Sequence, residues 1–156
     1  MTGIPQPTIL PSPDAVPFWR AARRHELVLP NCLACAEPFF YPRTFCPRCG
    51  SRDLDWQPAS GQGVLHAFCI HFQTGIAADR EHLPFVSAIV ELAEGPRLMS
   101  YLVDVEPSPD AIRCDMPVSV RFVDLPDGQT LPVFEPSRGQ GCCAPPGSSA
   151  GTSHRR

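Results

Sequence analysis

The sequence predicts a mainly β fold with a short N-terminal helix, a four-cysteine metal ribbon and then a small five-stranded antiparallel barrel. Three observations carry this. Two Cys-x2-Cys pairs stand ten residues apart. Five runs rich in β-branched and aromatic residues follow, separated by turn residues, within about 75 positions. No helical stretch among those runs is long enough for a βαβ crossover, which leaves a barrel as the way to bury them.

Residues 1–10 are rich in proline and read as a flexible tail. Residues 11–30 read as a helix and a lead-in strand. Over Pro13 to His25 the sequence is PDAVPFWRAARRH, with Ser12 as N-cap, Pro13 in the first turn and Asp14 complementing the helix dipole. Val16, Phe18 and Trp19 supply the apolar side and Arg20, Arg23 and Arg24 point outward. Glu26 to Pro30 forms a short strand. Residues 31–58 hold the cysteines, with Phe39, Phe40 and Tyr41 between the pairs, where they are expected to cover the metal and dock the ribbon on the barrel.

Residues 59–136 hold the strands, read as Gly63 to Gln73, Pro84 to Leu92, Arg97 to Val105, Pro117 to Val123 and Leu131 to Phe134. In the first of these, Val64, His66, Phe68, Ile70 and Phe72 share one face by period two. Residues 137–156 run SRGQGCCAPPGSSAGTSHRR, with no apolar periodicity, and read as a disordered tail.

Composition narrows the function. The N-terminus has no basic start and its prolines interrupt any apolar stretch, so no secretory leader is read and a cytoplasmic place is expected. Nothing approaches the ~18 uninterrupted apolar residues of a membrane helix. With no export signal, the 8 cysteines point to metal rather than disulfides. All 13 basic residues are arginine. Residues 60–135 carry eleven acids against four arginines, an acidic half that works against binding a phosphate backbone.

The spacing Cys32-x2-Cys35-x10-Cys46-x2-Cys49 aims two pairs of sulfurs at one cation. Zinc takes four thiolates in a tetrahedron where its role is structural, and iron in a rubredoxin-type site uses the same ligands. Four protein ligands leave no position open for a reactive water, so the metal is structural.

Cys69 and Cys114 are expected as small buried apolar side chains, and Cys142-Cys143 falls in the tail with no assigned role. His66 is expected to pack in the core or an interface, with His71 on the other face. Neither has a serine or cysteine at motif spacing, and GxSxG, HExxH, GxxxxGK[ST] and GxGxxG are all absent. No catalytic constellation is read.

These segments together resemble a known family. The order is Pro-Phe-Trp (17–19), Cys-Pro-Arg-Cys-Gly-Ser (46–51), Trp56, Ser-Gly-Gln-Gly-Val-Leu (60–65) and Pro-Phe-Val-Ser-Ala-Ile-Val-Glu-Leu (84–92). Leu-Val-Asp-Val (102–105), Met-Pro-Val-Ser-Val-Arg-Phe (116–122) and Leu-Pro-Val-Phe (131–134) complete it. The chain resembles the acyl-CoA-associated proteins of domain of unknown function 35 from about Ser12 to Pro136. The resemblance implies an N-terminal helical element, a rubredoxin-like zinc ribbon and a five-stranded OB-fold barrel.

It also implies a role as partner subunit of a thiolase-fold enzyme: an acetyl-CoA acetyltransferase, a lipid-transfer-protein-like thiolase or a steroid side-chain retro-aldolase. The partner would hold the catalytic residues, and this chain would help to hold the CoA thioester in lipid or steroid degradation. The cations available to CoA phosphates are then Arg20, Arg23, Arg24, Arg43, Arg48 and Arg52, all in the N-terminal half. A nucleic-acid-binding module is the second reading, since OB barrels and zinc ribbons both serve that role.

Overall fold

The structure is a computed structural model that describes residues 4, 5, 7 and 9–137. A 3-10 turn over Pro13–Ala15 leads into α1, Val16–Ala22. Ser12 is the N-cap of the turn but makes no side-chain cap bond. The helix is shorter than its sequence suggests because the chain reverses at His25, whose φ is 59°. His25 N–H donates to the Ala22 carbonyl and Glu26 N–H to that of Ala21, the paired bonds of a Schellman ending in which glycine is the usual residue.

Strands β1 (Val28–Cys32) and β2 (Leu54–Pro58) form a two-stranded antiparallel ribbon that holds the cysteine loops at one end. The barrel consists of β3 (Gln62–His71), β4 (Phe85–Leu92), β5 (Arg97–Leu102), β6 (Pro117–Asp124) and β7 (Thr130–Pro136). It closes in the order β3-β4-β5-β7-β6. All its pairs are antiparallel except β5 with β7, which meet in parallel at Leu102 and Phe134. This is an OB-type barrel, so the all-antiparallel expectation fails at that one seam. Closure is made at two short seams, Gln62 to Val64 of β3 on β6 and Leu102 of β5 on Phe134 of β7.

The expected common face of β3 is split. The register with β4 shifts between Leu65 and Ala67, so His66 is the extra residue of a bulge. Leu65 is buried before it, and Phe68 and Ile70 pack on the core after it. Val64, His66 and Phe72 are exposed, so His66 is no core histidine.

Two glycines fix the entry to β3. Gly61 has a φ of +73°, and a Cβ there would come 2.3 Å from Val120 Cγ1. At Gly63 a Cβ would come 2.5 Å from the Glu91 carbonyl oxygen, so β3 and β4 approach closely only because this position has no side chain.

One core joins the parts: Phe18 of α1, Leu27 and Leu29 of the lead-in, and Leu65, Val90, Val118 and Phe134 of the barrel, with Phe40 and Trp56 packed against it. A second cluster of Val103, Leu125, Leu131 and Val133 is covered by Ile4 and Ile9, so the first ten residues are not wholly a free tail. Apolar side chains there have somewhere to go. Among the described residues no helix is long and apolar enough to cross a membrane. Cys142, Cys143 and the expected C-terminal tail, apart from Ser137, lie outside the described residues.

Candidate metal centre

The two cysteine loops are built to one pattern. In the first, Cys32 N–H donates to the Glu37 carbonyl and Ala36 N–H to that of Cys32. In the second, Cys46 N–H donates to the Ser51 carbonyl and Gly50 N–H to that of Cys46. Ala36 (φ 55°) and Gly50 (φ 75°) take the same left-handed place, four residues after the first cysteine of each pair. The turns therefore present their sulfurs in the same way and face each other.

Cys32 Sγ lies 3.5 Å from Cys49 Sγ, and Cys35 Sγ 3.7 Å from Cys46 Sγ. All four sulfurs lie within 4.8 Å of one another. Four sulfurs around one zinc ion at about 2.3 Å stand roughly 3.8 Å apart in a tetrahedron, so the donor set fits such an ion. Cys32 and Cys46 are buried, Cys35 is half-buried and Cys49 is exposed.

The sulfurs differ electrostatically. Backbone N–H groups of Cys49 and then Arg48 aim at Cys46 and, against its desolvation, lower its pKa to about 7. Desolvation, followed by hydrogen bonds with the other three thiols, pushes Cys35 up to about 12. Four thiols this close cannot all ionise without a cation to share.

Around the sulfurs, Arg48 pairs with Glu37 and so links the two loops. Phe39 is buried beside the ribbon and donates its N–H to the Pro30 carbonyl. Phe40 meets Phe18 in a tilted arrangement, with ring centroids 5.4 Å apart, and ties ribbon to helix. Tyr41, expected to share that docking role, is 52% exposed.

The other candidate residues are not drawn into a site. All six arginines are exposed. Arg24 pairs with Glu26, Arg48 with Glu37, and Arg23 donates to Gln129. Arg20, Arg43 and Arg52 make no side-chain ion pair among the described residues. Cys69 and Cys114 are exposed, not buried as expected, because the bulge and the turn before β6 put them on the outside. His71 Nε2 and Ser87 Oγ lie 2.9 Å apart across β3 and β4, a pair that motif spacing could not reveal. Among the described residues no carboxylate bonds this imidazole; it stacks on Phe85 instead, at 4.5 Å. A serine–histidine contact without an orienting group or an oxyanion donor is a packing contact.

Comparison with known proteins agrees with this arrangement. The model of the ChsH2 rubredoxin-like zinc ribbon domain matches residues 19–55, and that of the ChsH2 C-terminal OB-fold domain matches residues 56–123. A DUF35 domain-containing scaffold protein of Methanothermobacter thermautotrophicus is 35% identical over 96 residues, which is 60% of this chain and 71% of that protein. A probable enoyl-CoA hydratase alpha subunit of Thermomonospora curvata is 37% identical over 121 residues, 77% of this chain. The chain spans only 37% of that relative's length. Among solved structures, a chain of the Ltp2-ChsH2(DUF35) aldolase superposes with a TM-score of 0.73 at 35% identity, covering 84% of this chain and 98% of its own.

Proposed function

The chain belongs to the DUF35 family of zinc-ribbon and OB-fold proteins, and from that membership we propose that it is a non-catalytic accessory subunit that binds a thiolase-fold partner and helps to hold an acyl-CoA substrate. The observation that carries this reading is the likeness to a chain of the Ltp2-ChsH2(DUF35) aldolase, over 98% of that chain's length. Among the described residues no nucleophile, base and oxyanion donor stand in one place, which supports giving the chemistry to the partner. The acyl group is read as a lipid or steroid side chain and the setting as cytoplasmic.

Within the chain, residues 31–58 are read as the ribbon and residues 59–136 as the barrel. Cys32, Cys35, Cys46 and Cys49 hold one structural metal ion, zinc in preference to iron, which pins the two turns together. Arg43 and Arg48 are offered as contacts for the CoA phosphates. A nucleic-acid role gains no support, since the barrel is strongly acidic.

The experiment is affinity purification of the tagged full chain from its own cells. A thiolase-fold subunit is expected in near-stoichiometric amount, and the complex is expected to bind acyl-CoA more weakly when it carries Arg43→Ala and Arg48→Ala. Recovery of nucleic acid alone, or of no second chain, overturns the reading. Unchanged affinity in the double variant removes only the arginine contacts.

A further inference from the structure

One row on the outer face of the barrel is apolar where water should meet polar side chains. Ala67, Ile89 and Met99 stand in one row across β3, β4 and β5. Met99 is 66% exposed and Ile89 37% exposed. On one side of Met99 a cleft of about 190 Å³ is lined by Ala67, Phe68, Cys69, Ser87 and Ile89. On the other, a cleft of about 120 Å³ runs between α1, the ribbon and the barrel, walled by Trp19, Phe40, Tyr41 and Pro132. Met99 lines both, so the apolar surface continues from Tyr41 of the ribbon over the barrel.

Its composition is that of an interface. An unbranched thioether between two recesses adapts to whatever is pressed against it, and a continuous apolar strip of this kind marks contact with another protein. The charges at its margin, Glu91 and Arg97, are paired with each other at 2.8 Å and offer nothing to a phosphate.

Charge selects the occupant. Residues 60–135 carry eleven acids and four arginines, so two copies meeting through their barrels would repel each other overall. A different subunit with an apolar patch on a surface of net positive charge is attracted to the barrel instead. The geometry points to the belt centred on Met99, from Tyr41 to Ala67, as the surface that the thiolase-fold partner covers, an assignment that rests on the functional reading above.

The test is oxidation footprinting of Met99 with hydrogen peroxide, on the free full chain and on its complex with the recovered thiolase-fold subunit, read by mass spectrometry. Half-buried Met116 is the internal control. Met99 is expected to oxidise readily in the free chain and at least about tenfold more slowly in the complex, where the interface excludes solvent. Met99→Glu, at a position exposed enough to fold normally, is expected to weaken co-purification at least about tenfold, while Arg121→Ala on β6 leaves it unchanged. A complex in which Met99 oxidises at the free rate overturns the assignment and leaves the functional reading intact. Protection of Met99 in a self-associated chain makes a second copy the occupant, and also overturns it. Failure to recover any thiolase-fold subunit removes the functional reading and this assignment with it.

Discussion

The ring of His25 lies flat on Phe122, with centroids 5.4 Å apart and planes 3° from parallel, while its Nε2 meets Asp124 at 3.2 Å. Asp124 also accepts from the Thr130 hydroxyl at 2.7 Å, and this bond, then the one from His25, lowers its pKa. A depressed carboxylate contributes stability that is present above its unfolded value of about 3.9 and is lost as pH falls through the folded value. Asp124→Asn is therefore expected to lower stability at neutral pH and to lose less than the parent between pH 5 and pH 2. Urea unfolding of both proteins at those pH values measures this, and identical slopes would refute it. Protonation of the cysteine ligands affects both proteins alike and cancels in the difference. None of this was legible in the sequence. His25 and Asp124 are 99 residues apart, and a histidine where glycine usually ends a helix gives no sign of its partner. The four cysteines were legible because their geometry is local to two short turns.

At the level of elements, spacing revealed the ribbon and hydrophobic runs revealed the barrel strands, whereas β2 was not read at all. The sequence of β2 is LDWQP, whose polar residues belong to a thin ribbon exposed on one face. The bulge at His66 was equally hidden, since period two carries no mark of an inserted residue. The outer belt did leave a signal: FVSAIVEL in β4 and RLMSYL in β5 carry Ile89 and Met99 at outward positions, where a barrel strand with one wet side need not place apolar residues. The ribbon has little core of its own, so its stability is expected to depend on the metal. The purified chain is expected to hold about one zinc ion, and Cys46→Ser to lose it. In that variant, amide exchange is expected to rise over residues 28–58 while β3 to β7 stay protected. A metal-free ribbon with unchanged protection would contradict this.

Across the whole molecule, α1 is the part that makes one body of two small ones. Its Phe18 meets Phe40 of the ribbon and its Trp19 packs on both apolar clusters. The fold class was readable because each piece announces itself locally, but the assembly of the pieces depends on contacts between distant residues. That joint puts ribbon residues and Met99 on the walls of one cleft, an arrangement that fits the proposed role as an accessory subunit. The proposed role is tested by acyl-CoA turnover measured for the chain alone, for the proposed thiolase-fold subunit alone and for the two mixed. No turnover is expected from the chain alone, and a higher rate from the mixture than from the subunit by itself. Turnover by the isolated chain, or a mixture no faster than the subunit, would contradict it.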